Sequence, residues 1–118
     1  MIRGIGIDVA SLDRVQAILE KEPRFVEKVL TPSEIAIFNE LSEHRKVEFL
    51  AGRFSVKESF VKAWGTGFGE EISFQDIETL TNELGKPITH CHLYDGNIFS
   101  SISHDAGIVV TQVILEDK

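Results

Sequence analysis

The sequence predicts a single α+β domain over residues 1–118, in which an N-terminal strand, several helices and one long central helix pack on an antiparallel sheet. Three observations predict this class. The chain is long enough for one hydrophobic core but not for two. Apolar residues recur with a helical period through most of the first half. The last third changes to strand alternation with turn residues, so the helices precede the sheet in the chain.

Composition limits the classes of partner. The formal net charge is −7, and nucleic-acid-binding proteins normally carry a basic surface, so we expect no nucleic-acid partner. The single cysteine, Cys91, excludes an internal disulfide framework and suits a reducing compartment. No apolar run is long enough to span a membrane, and the N-terminal MIRGIGIDV has the pattern of a strand and not of a signal peptide. We therefore expect a soluble cytoplasmic protein without a membrane partner.

The first predicted element is a strand from Ile2 to Val9, and Ser11 is a good residue to begin the helix that follows. Asp8 therefore falls near the exit of the strand. Two interpretations of Asp8 are open at this point. It is either a turn or capping carboxylate, which is common at such a position, or a metal ligand.

A helix is predicted from Leu12 to Glu22, and a second, short helix follows Pro23. Together they give an acidic protein a basic and apolar surface, whose residues are Arg14, Ile18, Lys21, Arg24 and Lys28. The residues alone leave two interpretations. The surface is either a solvated face whose charges pair with nearby acids or a docking site for an acidic partner.

Two further helix starts are marked by their caps. Thr31 and Pro32 begin a third helix, and Glu34 is placed to complete a capping box. Ser42 is placed to cap the central helix, whose first turns then carry His44, Arg45 and Lys46. Basic residues at a helix N-terminus oppose the helix dipole, so they hint at a phosphate group nearby.

The central helix is predicted over FLAGRFSVKESFVKAWGTGFG, from Phe49 to Gly69. At 100° per residue one face carries large apolar residues and the other carries Gly, Ala and Ser, so we expect cover on both sides. Charges within such a helix need a partner, a metal or a ligand, and they are Arg53, Lys57, Glu58 and Lys62. Gly65, Gly67 and Gly69 follow the helix, so they end it or allow close approach and do not form a dinucleotide-binding loop.

The last third is predicted to form four strands of an antiparallel meander, joined by the N-terminal strand: Ser73 to Thr81, Ile88 to Tyr94, Ile98 to His104 and Gly107 to Glu116. His90, Cys91 and His92 do not chelate one ion, because alternation sends Cys91 to the opposite face. His104 lies at a tight turn beside Asp105. It is either a solvated turn residue or a phosphate donor or proton carrier.

Asp8 and Glu58 lie on different elements, and Arg53, Lys57 and Lys62 accompany Glu58. Mg²⁺ is commonly held by few carboxylates together with phosphate oxygens and water. Arg and Lys beside such a site suit a pyrophosphate group. The residues therefore predict a Mg²⁺-dependent phosphate site, without naming its substrate.

The stretches GIGIDVASLDRV, FLAGRFSVKESFVKAWGTG, ELGKP and SISH resemble, in this order, the bacterial holo-acyl-carrier-protein synthases, a family of small 4′-phosphopantetheinyl transferases. The likeness runs nearly end to end, and GxD followed by FxxKExxxKA is specific as a pair. It implies the fold of that family. It also implies transfer of the 4′-phosphopantetheine arm of coenzyme A to a serine of apo acyl carrier protein, with release of adenosine 3′,5′-bisphosphate, in support of fatty acid biosynthesis.

The resemblance also implies roles for individual residues. Asp8 and Glu58 are expected to hold Mg²⁺, and Lys62, in the family's KA, is expected to face the phosphates. The expected catalytic residues are Asp8, Glu58, Lys62 and His104. The residues expected to contact coenzyme A are Arg53, Lys62, Gly65, Gly85, Lys86, Pro87 and His104. The helical residues expected to dock acyl carrier protein are Arg14, Ile18, Lys21 and Arg24. A homotrimer with active sites between subunits is expected to account for the doubly covered helix and for surplus apolar surface.

Several alternatives stay open. The serine proton is taken either by a Mg²⁺-bound water polarised by Glu58 or, as the second choice, by Lys62 directly. The sequence has Ser59 where small members often carry Ala, and Asp105 where they usually carry Ser or Thr, which leaves the role of His104 less defined. Other functions that the residues permit are a Mg²⁺-dependent nucleotide phosphohydrolase, a non-catalytic module that binds coenzyme A or a carrier protein, and an α+β domain whose charges are merely paired.

Overall fold

The computed structural model describes all 118 residues. It contains five strands, four α-helices and one 3₁₀ turn at Phe74–Asp76. In chain order these are β1 (Ile2–Ser11), α1 (Leu12–Lys21), α2 (Phe25–Val29), α3 (Pro32–Asn39), α4 (Glu43–Trp64), β2 (Ile77–Thr81), β3 (Pro87–Cys91), β4 (Gly96–Asp105) and β5 (Ile108–Asp117). The predicted α+β class, with helices before an antiparallel sheet, is confirmed.

The strands form two antiparallel sheets. One has the order β1-β5-β4, and the other is the hairpin β2-β3. The N-terminal strand joins the sheet as predicted, and its Asp8 lies directly opposite Thr111 of β5. The prediction of one continuous meander is wrong, because no ladder of hydrogen bonds joins β3 to β4. The hairpin is therefore a separate unit beside the three-stranded sheet.

The helix boundaries follow their caps. The Ser11 side chain accepts a hydrogen bond from the Arg14 backbone N–H, and Thr31 and Glu34 form the predicted capping box. Helix α4 begins after Ser42, which is the N-cap residue as predicted but whose side chain makes no capping hydrogen bond. The helix stops at Trp64, because Gly65 takes the left-handed conformation with φ of 100°. The prediction that glycines end this helix is confirmed at Gly65, and the run from Phe49 to Gly69 is helical only as far as Trp64. The strand predicted from Ser73 begins only at Ile77, after the 3₁₀ turn.

Helix α4 is covered on both sides within a single chain. Its small face packs against β1, where a Cβ added to Gly4 would lie 2.0 Å from the Ala63 carbonyl oxygen and one added to Gly6 would lie 1.9 Å from that of Ser59. Its large residues enter two apolar clusters, one around Phe60 and Ile77 and one around Leu50 and Leu30. A neighbouring subunit is therefore not needed to cover this helix, which corrects that part of the expectation.

Surplus apolar surface lies instead on the outer face of the three-stranded sheet. Strand alternation turns these side chains away from α4. The exposed apolar residues on this face are Ile5, Ile7, Val9, Phe99, Ile108 and Val110, and those of β1 are about 60% exposed. We call these six residues the outer apolar face. None of the four α-helices combines the length and the apolar composition that a membrane-spanning helix requires.

Candidate active site

Asp8 lies inside strand β1, where its backbone is paired with β5. The interpretation of Asp8 as a turn or capping carboxylate is therefore wrong. Its carboxylate points toward α4, and each oxygen has one protein donor. Ser55 Oγ donates to Oδ2 at 2.8 Å, and Lys62 Nζ donates to Oδ1 at 3.1 Å. Lys62 also donates to the Ile7 carbonyl oxygen at 3.1 Å, so it joins α4 to β1.

Glu58 comes close to Asp8 because glycines in β1 let the backbone of α4 approach. A side chain at Gly4 or Gly6 would collide with carbonyl groups of α4. Gly6 is two residues before Asp8 on the same face of β1, so the close approach of the helix occurs next to Asp8. Burial raises the pKa of Glu58, the negative charge of Asp8 raises it further, and the positive charge of Lys62 opposes the shift. The Glu58 carboxylate makes no ion pair with another side chain, although it is only partly exposed.

The donor set of this cluster fits Mg²⁺. Two carboxylates on different elements are near enough for the charge of Asp8 to raise the pKa of Glu58, and Glu58 is partly buried and forms no ion pair. No third His, Cys, Asp or Glu joins them. Two carboxylates alone cannot complete the octahedral oxygen shell that Mg²⁺ requires, so the remaining ligands would have to be water and oxygens of a bound phosphate.

Lys57 does not join this cluster, although its sequence position beside Glu58 associates it with a phosphate site. Its ammonium is fully buried and lies 2.7 Å from Glu34 Oε1, and it also donates to the carbonyl oxygens of Val29 and Phe74. Burial lowers the pKa of Lys57, and the Glu34 carboxylate opposes this shift. Glu34 also accepts hydrogen bonds from the Thr31 and Thr79 backbones. Lys57 therefore joins α4 to α3 and β2 and has a structural role.

A second cluster lines a pocket of about 380 Å³ between the N-terminal half of α4, the β2-β3 hairpin and the end of β4. Its residues include Arg45, Phe49, Arg53, Gly85, Pro87, Ile102 and His104. The pocket thus brings together four of the residues that the resemblance assigns to coenzyme A, namely Arg53, Gly85, Pro87 and His104. Lys86 is exposed next to them in the hairpin turn, where Gly85 has a φ of 83°.

The Arg53 side chain is held in one orientation within this pocket. Its Nε donates to the Thr79 carbonyl oxygen at 3.0 Å, and its guanidinium lies 4.2 Å from the centre of the Phe49 ring. Burial lowers the pKa of Arg53, and the charge of Glu34 opposes this shift. An Arg held in this way presents its remaining donors to the pocket, which suits a phosphate or a base.

Glu48 is a pocket residue that the sequence did not indicate. Its Oε2 lies 3.7 Å from His104 Nδ1 and 3.9 Å from His44 Nε2. The carboxylate that faces His104 is thus Glu48, and not the adjacent Asp105. The sequence shows that His44 and Glu48 are four residues apart on a helix and therefore neighbours. It does not show that β4 brings His104 to the same helical turn, because that is a tertiary contact.

The two clusters face different sides of α4. Glu58 and Arg53 are five positions apart, which separates them by about 140° around the helix axis. The pocket lining contains Arg53 and His104 but not Asp8, Glu58 or Lys62. Gly65 lies at the C-terminus of the same helix, one turn after Lys62. The residues expected to share one coenzyme A therefore form two separate groups within one chain.

The basic surface on α1 and α2 is free of ion pairs. Arg14, Lys21 and Arg24 are exposed and make no salt bridge, although acidic residues are near them in the sequence. Ile18 is half-buried between them and lines a shallow depression with Lys21 and Glu22. The interpretation of these cations as paired charges is therefore wrong, and they are available to a partner.

The strand of histidines and cysteine follows the predicted alternation. Cys91 is buried in the cluster around Phe60, His90 is exposed on the other face of β3, and His92 is exposed in the turn that follows the strand. His92 lies 2.9 Å from Asp76 Oδ1, and this contact lowers the pKa of Asp76. These residues belong to the β2-β3 hairpin, whereas Asp8 is on β1 of the other sheet. They serve the local structure of the hairpin.

Comparison with known proteins identifies the family. Residues 4–113 match the family model described as the 4′-phosphopantetheinyl transferase superfamily. The chain belongs to this family. It is 52% identical over 118 residues to a holo-[acyl-carrier-protein] synthase of Lactobacillus helveticus, and the match covers 100% of both chains. It is 53% identical over 118 residues to one of Lacticaseibacillus casei, covering 100% of this chain and 94% of that protein.

Solved structures of holo-acyl-carrier-protein synthases have the same fold. The crystal structure of the Bacillus anthracis protein in complex with CoA (3′,5′-ADP) matches with a TM-score of 0.93 and 43% identity, covering 100% of this chain and 99% of that one. The Helicobacter pylori protein in complex with coenzyme A matches with a TM-score of 0.85 and 31% identity, covering 95% and 99%. The predicted resemblance, the predicted fold and the prediction that this chain is a phosphopantetheinyl transferase enzyme are confirmed.

Proposed function

We propose that the protein transfers the 4′-phosphopantetheine arm of coenzyme A to a serine of apo acyl carrier protein in a Mg²⁺-dependent reaction that releases adenosine 3′,5′-bisphosphate. The observation that carries this proposal is the convergence of Asp8, Glu58 and Lys62 in a chain whose relatives are named holo-[acyl-carrier-protein] synthases. Residues 1–118 act as one domain for this purpose. The product supports fatty acid biosynthesis, and the expected location is the cytoplasm.

Asp8 and Glu58 hold the metal in this proposal. When bound, Mg²⁺ supplies positive charge that stabilises the pyrophosphate as negative charge develops on its leaving side. Lys62, already directed at Asp8, adds a second positive charge on the same side of α4, close to the Gly65 backbone. The contribution of these residues is mostly positioning and electrostatic stabilisation, as is usual in phosphoryl transfer.

The pocket around Arg53 takes the nucleotide end. The aromatic and aliphatic lining of Phe49, Pro87 and Ile102 suits a purine ring, and Gly85 and Lys86 border it from the hairpin. Arg53 and His104 contact the phosphate or ribose groups. Arg45, exposed in the first turns of α4 without an ion pair, is an additional candidate for the 3′-phosphate. The 3′-phosphate would then be the anionic partner that the basic residues at the N-terminus of α4 require.

The carrier protein docks on the basic surface of α1 and α2. Arg14, Lys21 and Arg24 offer unpaired positive charges to an acidic partner, and Ile18 offers a central apolar contact. Complementary charge of this kind raises association rates and selects partners. The serine hydroxyl then attacks the β-phosphorus, the bond to the bridging oxygen breaks, and adenosine 3′,5′-bisphosphate leaves with that oxygen. The serine proton passes to a water molecule beside Glu58, because the Lys62 ammonium that supplies positive charge here has no lone pair to accept it.

A homotrimer brings the two clusters together in this proposal. The metal cluster and the nucleotide pocket face directions about 140° apart on α4, so one coenzyme A would be shared by two neighbouring copies. The outer apolar face supplies a surface for that contact, with Ile5, Ile7 and Val9 about 60% exposed. Sedimentation analysis should find three chains, and Ile7→Glu should dissociate them.

The test of the reaction is product analysis with carboxylate variants. Asp8→Ala and Glu58→Ala should remain folded and lose nearly all transfer to apo acyl carrier protein, whereas Asp95→Ala, which removes an exposed carboxylate paired only with Lys118, should retain it. Normal Mg²⁺-dependent turnover in both active-site variants would overturn the proposal. Phosphate release from coenzyme A without a carrier protein would support the phosphohydrolase. Tight binding of coenzyme A without turnover would support the non-catalytic module.

A further inference from the structure

A chain of buried hydroxyl groups leads from the interior of the protein to Asp8. Ser55 Oγ lies 2.8 Å from Asp8 Oδ2 and 2.8 Å from Thr111 Oγ1. Thr111 Oγ1 lies 2.7 Å from Ser59 Oγ. The three hydroxyl residues are at most 1% exposed, so water does not compete for these bonds. They occupy the seam where the small face of α4 meets β5.

The position of these residues follows from local geometry. Ser55 and Ser59 are four residues apart on α4, so they lie on the same face one turn from each other. Thr111 is the direct cross-strand neighbour of Asp8 in the β1-β5 ladder. Side chains that lie opposite each other on adjacent strands point to the same face, so both point toward α4. The helix therefore places two hydroxyl groups against a strand pair that offers one hydroxyl and one carboxylate.

The direction of every hydrogen bond in this chain is fixed by counting protons. An ionised carboxylate only accepts, so the single Ser55 hydroxyl proton goes to Asp8. Ser55 Oγ must then accept from Thr111, and Thr111 Oγ1 must accept from Ser59. The Ser59 proton is shared with the Thr111 carbonyl oxygen at 3.2 Å. The Thr111 and Ser55 hydroxyl groups therefore both donate in the direction of Asp8, and bonds aligned in one direction strengthen each other.

We propose that the chain Ser59, Thr111 and Ser55 is a positioning device that orients the Asp8 carboxylate for a divalent cation. The inference rests on the proposed function, because it assigns Asp8 as a metal ligand. Ser55 occupies one lone pair of Oδ2 and so restricts rotation of the carboxylate, and it leaves the second lone pair of Oδ2 for a cation. Partners of metal-ligating carboxylates commonly change metal affinity by about 10-fold to 100-fold when they are removed.

Titration with Mn²⁺ in place of Mg²⁺ tests this inference without turnover. The protein is saturated with coenzyme A, no carrier protein is added, and free Mn²⁺ is measured by electron paramagnetic resonance. Ser55→Ala should weaken Mn²⁺ binding by about 10-fold or more, because it removes the donor to Asp8. Thr111→Val, which keeps the shape but not the hydroxyl, should weaken it less, and Ser59→Ala least. Thr111→Ser should restore the affinity.

The matched control is Thr89→Val. Thr89 is 4% exposed and belongs to a similar buried hydroxyl chain with Thr79 and Ser100, which does not lead to Asp8. Its loss should lower thermal stability and leave the Mn²⁺ dissociation constant unchanged. With carrier protein added, Ser55→Ala should raise the Mg²⁺ concentration for half-maximal rate far more than it lowers the rate at saturating Mg²⁺.

Two results would overturn the inference alone: wild-type Mn²⁺ affinity in both Ser55→Ala and Thr111→Val, or an equal loss of affinity in Thr89→Val. Absence of Mn²⁺ binding to the wild-type protein would overturn the proposed metal site and this inference with it. Folding of each variant is checked by circular dichroism. Thr111→Val and Ser55→Ala interrupt the chain from different elements, so a local packing defect in one does not explain a loss in both.

Discussion

Lys62 Nζ lies 3.1 Å from Asp8 Oδ1 and 3.1 Å from the Ile7 carbonyl oxygen, so a single side chain joins the end of α4 to the middle of β1. In the absence of a metal, Lys62 is the cation that neutralises Asp8. In the proposed complex it shares the phosphates with Mg²⁺. Lys62 therefore has two partners, one in each state of the site.

Lys62→Met should lower transfer to the carrier protein by about 10²-fold, because one positioned charge facing the developing negative charge is lost. Mn²⁺ binding should not weaken, since a competitor for Asp8 is removed. Lys118→Met is the matched control, because Lys118 forms an exposed ion pair with Asp95 at a similar distance. Turnover near the wild-type rate in Lys62→Met would contradict the proposed role.

Glu58→Gln should raise the melting temperature of the metal-free protein at neutral pH. The pKa of Glu58 is raised by burial and by Asp8, so its ionised form destabilises the folded state. Between the ordinary value of 4.5 and the raised value, the folded state binds more protons than the unfolded state, and wild-type stability falls as pH rises. The advantage of the variant should therefore be full above the raised pKa and should disappear as the pH falls toward 4.5.

Thermal scans of Glu58→Gln and wild type across this pH range check the prediction. Coenzyme A with Mg²⁺ should reverse the order of stability, because ligand that binds only the folded state raises its melting temperature. A variant that is less stable than wild type at neutral pH without metal would show that Glu58 has a stabilising partner instead of a desolvated, repelled charge.

Gly6→Ala should destabilise the protein by at least about 1–3 kcal/mol and weaken Mn²⁺ binding, because the added Cβ overlaps the Ser59 carbonyl oxygen and pushes α4 away from β1. Denaturant unfolding and Mn²⁺ titration measure the two effects. Gly69→Ala is the control, since its Cβ would meet no atom within 4 Å. If Gly6→Ala kept wild-type stability, the close approach of α4 and β1 would not depend on this glycine.

Lys57→Met should cost about 3–5 kcal/mol of unfolding free energy, because it leaves the fully buried Glu34 carboxylate without its cation. Adding Glu34→Gln should recover part of this loss, since it removes the unpaired buried charge, while the single amide oxygen keeps an acceptor for only one of the Thr31 and Thr79 backbone N–H groups. Equilibrium unfolding of both single variants and the double variant forms a double-mutant cycle. Additive losses would show that Lys57 and Glu34 do not act as a pair.

Arg14→Glu and Lys21→Glu should each raise KM for acyl carrier protein several-fold and leave KM for coenzyme A unchanged. Both cations are exposed and unpaired, so reversal replaces attraction of an acidic partner by repulsion. The effect should shrink at high salt, because exposed charges are screened. Arg3→Glu makes the same charge change at an exposed residue that pairs with Asp117, and it should leave both KM values unchanged.

Local sequence signals predicted the elements well. The caps at Ser11 and Thr31 depend on neighbours within three residues, and both were found. The two-faced composition of α4 predicted cover on both sides. The position of Asp8 near the end of the strand was wrong, because β5 continues the ladder as far as Ser11, whose partner Ile108 is distant in the sequence.

The sequence could not predict which charged residues pair with each other. Lys57 and Glu34 are 23 residues apart, and Lys57 is next to the proposed metal ligand Glu58 in the chain but on a different side of the helix. Glu48 likewise meets His104 only through the packing of β4 on α4. The sequence indicates only that Ser55 and Ser59 are small residues of a helix and that Thr111 is a strand residue. The hydrogen bonds that connect these three residues to Asp8 are visible only in the fold.

The most direct test of the account is the intact mass of apo acyl carrier protein after incubation with this protein and coenzyme A, with and without Mg²⁺. The account predicts a gain of one phosphopantetheine arm on a serine when Mg²⁺ is present, together with equimolar adenosine 3′,5′-bisphosphate, and no gain when it is withheld. An unchanged carrier mass in the presence of Mg²⁺, with coenzyme A intact, would contradict it.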